Sequence, residues 1–394
     1  MILAGHSPLP PLSPARIDAA RALHGNAVDQ YLAHLRLGDP LADAVVRWFE
    51  GLPPGQGFRL LLQAIDKGIG SLDDPPAPLV ALFAQLDHVP FWVDWDRMKH
   101  GSRKVIRSGL LTALSFATYA LPHAYLATAN KPLAFTGALL GAAGHRYAQT
   151  TRFVIETFMP GGLRREADGF KIAVLVRIMH ARIRRQLLQS GGWDGDAFGV
   201  PLNQAHLAVN TVFFSFYVLR GLQRLGVRFR RSEIEGVLLT WRYVGHLFGI
   251  DPALVSTSPE EAERLVEVAF SVEFDPDETS VALCRALLDA GSGYMSSEHE
   301  RLRRLLVPMV VPISRRLLGD DLADRLGYPK DRKRLLCWTF VTLVRLSERF
   351  PWLVPADLRQ FVGMQFWLES SSYDMATLTG GHSRRQDGRT AASS

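Results

Sequence analysis

GFKIAVLVRIMHARIRRQLLQ (169–189) decides how this chain is read. Ile172, Val176, Met179, Ile183 and Leu187 recur three or four residues apart, the period of a helix with one apolar stripe. Asp168 stands just before it as an expected N-cap. Arg177, Arg182, Arg184 and Arg185 fall mostly on the flanks and far side, whereas His180 falls with the apolar set. An imidazole there needs a partner, because a buried polar group left unpaired costs about 1–3 kcal/mol. Two partners fit: a backbone carbonyl, which makes His180 a core residue, or a metal, since neutral imidazole is a good axial ligand for iron.

Upstream, HRYAQT (145–150) places Arg146 and Thr150 at i and i+4, neighbours on one helical face among Leu139, Ala143, Phe153 and Thr157. A guanidinium aimed inward must meet an anion. Haem propionates or bound dioxygen serve; so does an ordinary salt bridge to Glu156 or Asp168.

Helical periodicity continues along the chain. It predicts helices at Ala15–Leu35, Leu41–Phe49, Gly57–Ile69, Pro78–Leu86, Pro132–Ala143, Arg146–Phe158, Leu202–Leu225, Ser232–Phe248, Pro259–Phe274, Thr279–Ala290, Ser297–Leu318, Asp331–Arg349 and Pro355–Trp367. GDPLAD (38–43) supplies a start signal, with Asp39 as cap and Pro40 in the first turn. PFWVDWDRM (90–98) is an aromatic turn entering another helix. Leu110–Ala129 has the length of a membrane span, but Pro122, His123 and several hydroxyls interrupt it, so a buried helix pair is expected. No segment alternates like a strand, and no GxGxxG or Walker loop occurs. The expectation is an all-α fold, one domain over 1–376 followed by a disordered polar tail over 377–394; an N-terminal helical cap over residues 1–100 is the alternative.

At 394 residues with 47% hydrophobic and 21% charged residues, the chain has ample material for a large core. The formal charge of +6 comes with arginine runs at 182–185, 228–231 and 301–304, which are solvated helix faces or contacts for propionates or lipid. Nothing resembles a zinc finger or RNA-binding motif, so no nucleic-acid partner is expected. Cys284 and Cys337 are too few for a disulfide framework, and without CxxCH any haem is held non-covalently. No HExxH is present. The N-terminus carries no export signal, so the chain reads as cytoplasmic as numbered, or exported if a signal preceded it.

Arginine, threonine four residues on, and histidine in a later helix, as in Arg146, Thr150 and His180, resemble the latex clearing protein (rubber oxygenase) family of the MpaB-like oxygenase group. GDPLADA (38–44), PFWVD (90–94), the HAxxR of His180–Arg184 and WRYVGHLFGID (241–251) add to the resemblance. It implies a globin-like helical core around haem b, with His180 as the metal ligand. Arg146, Thr150, Arg177 and Arg184 are then the other cofactor-binding residues. Arg146, Thr150, Gln149 and Asn130 are the catalytic positions, acting with dioxygen on the double bonds of an apolar isoprenoid such as cis-1,4-polyisoprene. Two residues depart from the family pattern: Gln149 stands where a lysine is expected to reach iron, and Asn130 stands where a carboxylate base is expected. They leave open a haem protein of the same fold acting on another lipid or metabolite, or one without catalysis; a helical binding protein with His180 in its core is a third reading. Phe213, Phe214, Phe216 and Tyr217 line an apolar channel or simply pack the core, His246 is the rival ligand, and a monomer or small oligomer is expected.

Overall fold

Asp39 starts a helix as its sequence suggests: its carboxylate accepts the Ala42 amide at 3.2 Å, with Pro40 in the first turn. Asp94 caps another by accepting the amides of Asp96 and Arg97. The computed structural model describes residues 10–132, 143–293, 300–330, 334–350 and 352, by backbone alone at 143–148, 290–293, 300–306 and 334. The segments 355–367 and 377–394 therefore lie outside the described residues.

The early helices are α1 (Pro14–His24), α2 (Asn26–His34), α3 (Pro40–Glu50), α4 (Gln56–Lys67), α5 (Ala77–Leu86) and α6 (Trp95–Arg107). Then come α7 (109–124), α8 (Ala143–Phe158), α9 (Asp168–Ser190), α10 (Gly195–Phe198) and α11 (Gln204–Leu225). The last are α12 (Arg231–Leu247), α13 (Pro259–Val272), α14 (Glu278–Gly293), α15 (Glu300–Leu318), α16 (Asp320–Arg325) and α17 (Arg334–Arg349). No strand occurs among the described residues, and the fold is all-α.

Three readings of the helices change. The single helix expected at Ala15–Leu35 is two, α1 and α2, divided at Gly25, whose φ of +60° breaks the run. Asp168 is the first residue of α9, not its cap; Ala167, extended at φ −82° and ψ 154°, holds the cap position. The Asp168 carboxylate instead lies 3.8 Å from the Arg152 guanidinium of α8. The stretch at 110–129 holds one long helix, not a pair: α7 ends at Ala124, before the short turn at Thr128–Asn130, and contains a π-turn at Phe116–Ala120 just before Pro122, which has no amide to donate. A second π-turn, Phe213–Tyr217, lies within α11 and packs on the first. The Ser115 hydroxyl donates to the Val218 carbonyl at 2.7 Å, and Gly221 permits that approach, since a Cβ there would lie 2.1 Å from Ser115 Oγ. Among the described residues only α11 is long and apolar enough to cross a membrane, and 83% of its apolar window is buried inside the molecule, as in a core helix.

The core is one large apolar cluster with Trp241, Tyr31 and Tyr243 as its largest fully buried side chains, plus a small satellite around Cys284 and Tyr328. Helix α9 is fixed to α3 by ions. The Arg177 guanidinium pairs with both oxygens of Asp39 (2.6 and 3.0 Å) and also donates to the Gln85 side chain and the Leu247 carbonyl. Arg184 pairs with Asp43 at 2.9 Å and donates to the Leu202 carbonyl at 2.7 Å.

Candidate functional site

His180 is half-buried on α9, its ring edge-on to Phe248 with centroids 5.8 Å apart. Phe248, just past the end of α12, stacks on Phe153 of α8 at 5.6 Å. Phe153 meets Trp241 edge-on at 6.1 Å, and Trp241 in turn contacts Phe158 and Phe214. An apolar aromatic wall thus joins α8, α9, α11 and α12. At about 100° per residue, positions 146, 150, 153 and 157 share one stripe of α8. Phe153 places that stripe beside Phe248, and so toward His180. Thr150 and Gln149 are half-buried, whereas the Arg146 side chain lies outside the described residues.

The expected residues separate into groups. His180 and Thr150 belong to elements that meet across Phe153 and Phe248. Arg177 and Arg184 lie on a neighbouring stripe of α9 and engage Asp39 and Asp43. Asn130 closes a turn: its side-chain amide donates to the Ala124 carbonyl. Phe213 and Tyr217 are buried core residues in mutual edge contact at 5.0 Å, and Phe214 bridges Phe116 and Trp241. His246 stacks on Tyr243, and its Nε2 lies 3.0 Å from the His88 carbonyl; burial pulls its pKa below the ordinary value. His123 is fully buried between Tyr119 and Tyr217 with Nδ1 donating to the Tyr119 carbonyl, and burial lowers its pKa to about 4.

One polar cluster has no signal in the sequence, because its members are far apart in the chain. The Tyr31 hydroxyl donates to Glu273 at 2.5 Å, and His206 Nε2 approaches the same carboxylate at 3.0 Å, all fully buried. Burial pushes the Glu273 pKa up, but His206, Tyr31 and Thr128 outweigh it and hold the carboxyl below its usual value. Thr128 begins the turn that contains Asn130. A surface cleft of about 700 Å³ between α3, α4 and the end of α9, walled by Phe49, Phe58, Arg182 and Gln186, contains none of the expected site residues.

Residues 107–346 match the family described as ER-bound oxygenase mpaB/B'/rubber oxygenase, catalytic domain. The chain belongs to this oxygenase family. Among solved structures, latex clearing protein in its closed state is similar, with a TM-score of 0.61 and 19% identity over 85% of this chain and 91% of that one, a shared fold. Curated protein sequences give no significant match.

The residues present fit a haem. Thr157 Oγ1, on the stripe of Thr150, and Trp241 Nε1 are buried with no hydrogen-bond partner among the described residues, polar atoms set in an otherwise apolar wall. No group of three His, Cys, Asp or Glu side chains gathers among the described residues. A metal held at His180 therefore needs most of its ligands from a macrocycle, which aromatic walls suit.

Proposed function

We propose that this chain is a haem b-dependent oxygenase that cleaves carbon–carbon double bonds of an apolar, isoprenoid-like substrate. One observation supports the reading above all: α8, bearing Thr150, and α9, bearing His180, meet across Phe153 and Phe248 inside the family-matched region. When bound, the haem supplies the chemistry that activates dioxygen. His180 would hold its iron through an imidazole nitrogen. Thr150 offers a hydroxyl donor, worth about 0.5–1.5 kcal/mol where oxygen gains charge. Arg146 would supply a cation for a propionate or for developing negative charge. Phe153, Phe248 and Trp241 exclude water and leave apolar contacts for the substrate.

Arg177 and Arg184 serve the cofactor indirectly, by locking α9 to α3. Gln149, an amide, is a weak iron ligand and would compete poorly with small exogenous ligands for a haem held at His180. Asn130 takes no proton at neutral pH and already holds its turn closed, so base-assisted steps lack a carboxylate there. Gln149 and Asn130 favour a second substrate reading, oxidation of a lipid or metabolite other than rubber.

The test is the absorption spectrum of the purified protein with and without added haemin. Wild type should show a Soret band, and H180A should stay folded by circular dichroism while binding haem at least about tenfold more weakly. Full haem binding by H180A with an unchanged spectrum overturns the ligand assignment. Imidazole should shift the wild-type band readily. Carbonyl end-products from polyisoprene separate rubber cleavage from the second reading.

A further inference from the structure

Among the described residues, helix α17 docks by one side and leaves the other bare. Cys337, Val341 and Val344 are buried beneath it, and Glu348 is tied to Lys104 of α6 at 2.9 Å. The opposite face presents Leu335 (76% exposed), Leu336, Trp338 (55%), Leu343 (65%), Leu346 and then Phe350. Trp352, 77% exposed, continues it. Of the fourteen large apolar side chains exposed among the described residues, seven fall within 335–352. Scattered exposed leucines need no explanation, but this contiguous apolar helix face does.

The surroundings indicate what covers it. Arg345 and Arg349 flank the face on α17, and Arg228 and Arg230 are exposed on the turn packed against it, where Arg345 runs over Gly226. None of these four guanidinium groups pairs with a carboxylate among the described residues. A second copy of the same face would bring these like charges together, which opposes symmetric pairing. Leucine, tryptophan and phenylalanine bordered by arginine make the pattern of a helix that lies in a bilayer interface, apolar side in the acyl boundary and cations at the headgroups.

We propose that α17, with the 228–230 turn, is a peripheral docking surface for an anionic lipid membrane. The arginine run at 228–231 thereby acquires a lipid-facing role that is independent of the haem reading.

The experiment is co-sedimentation of the full-length protein with phosphatidylcholine vesicles with and without phosphatidylserine. The anionic vesicles should retain the protein, less so as salt rises. L343E should weaken partition about tenfold or more, since burying a leucine is worth roughly 1.5–3 kcal/mol. Because L343E tests only the apolar side, the R345Q/R349Q pair tests the charges and should lose the preference for phosphatidylserine. Circular dichroism confirms that both variants fold. Absent wild-type binding, or equal binding by L343E, overturns the proposal. An environment-sensitive dye on L343C reports prior cover, because both native cysteines are buried. Its emission should shift to the blue only when vesicles are added. Blue emission without vesicles overturns the proposal, in favour of the chain's own 353–394 segment if independent of protein concentration and of self-association if it grows with concentration.

Discussion

Two neighbouring stripes of α9 treat polar atoms in opposite ways. Arg177 and Arg184, two turns apart, are almost fully buried and held by Asp39, Asp43, Gln85 and backbone carbonyls. His180, about 40–60° round the helix, faces aromatic rings, in a wall where Thr157 and Trp241 keep buried polar atoms without partners among the described residues. The first stripe is polar and ion-paired; the second faces an aromatic wall in which buried polar atoms of α8 and α12 find no hydrogen-bond partner among the described residues. Satisfied buried ions hold helices together. Unsatisfied groups in an apolar wall cost stability in the free protein, and a ligand that satisfies them recovers that energy.

The comparison breaks most decisively at Arg177. R177A leaves Asp39 charged and buried, and should cost about 3–5 kcal/mol in urea unfolding. The double variant D39L/R177M removes both charges and should regain most of that loss, short of the Asp39 cap, about 1 kcal/mol, and of the Arg177 hydrogen bonds to Gln85 and the Leu247 carbonyl. A small loss in R177A would mean that water reaches the pair and that the stripe is not a lock.

The next effect is a pH dependence at the π-paired helices. With a folded pKa of about 4 against an ordinary value near 6.5, burial keeps the His123 ring neutral in the folded state. Above about pH 6.5 the ring is neutral in both states and contributes nothing. Below that the unfolded ring takes a proton that the folded ring refuses, so stability falls between about pH 6.5 and 4, by about 3 kcal/mol in all. Comparing unfolding curves of wild type and H123L across this range isolates the term; parallel curves would place a charge-stabilising partner beside His123.

The smallest expected effect sharpens the contrast. Replacing an unsatisfied hydroxyl by a methyl of the same shape is nearly neutral or stabilising. T157V should therefore change the haem-free melting free energy by less than about 1 kcal/mol, on the stabilising side. A loss well beyond that would show that Thr157 is partnered after all, which would remove the distinction between the two stripes.

Much of the scaffold was legible in advance. The 3.6-residue period gave most of the helices, and the polar residue before an apolar run gave the cap at Asp39; the cap at Asp94 emerged only from the structure. The signal failed at Asp168, where the turn at Gly162–Ala167, rather than the side chain, sets the start of α9: the Phe170 amide donates to the Gly162 carbonyl at 3.2 Å. It failed again at 110–129, because the π-turn in α7 answers both Pro122 and the close packing of α11, and only Pro122 is local. His180 was legible as an anomaly on an apolar stripe. The partners of Arg177 and Arg184 were not, since Asp39 and Asp43 lie far upstream in the chain.

By itself the sequence determined the all-α class, the register that puts His180 on an apolar stripe and Thr150 one turn from Arg146, and the surplus of arginine. These follow from local periodicity and side-chain chemistry. Only the tertiary structure decided which arginines are neutralised inside the core, that Phe248 and Phe153 bring α8 and α9 together, that Tyr31, His206 and Glu273 form one buried cluster, and that one side of α17 remains bare. Those outcomes depend on contacts between residues distant in the chain, whose energies arise only when burial removes water from both partners at once.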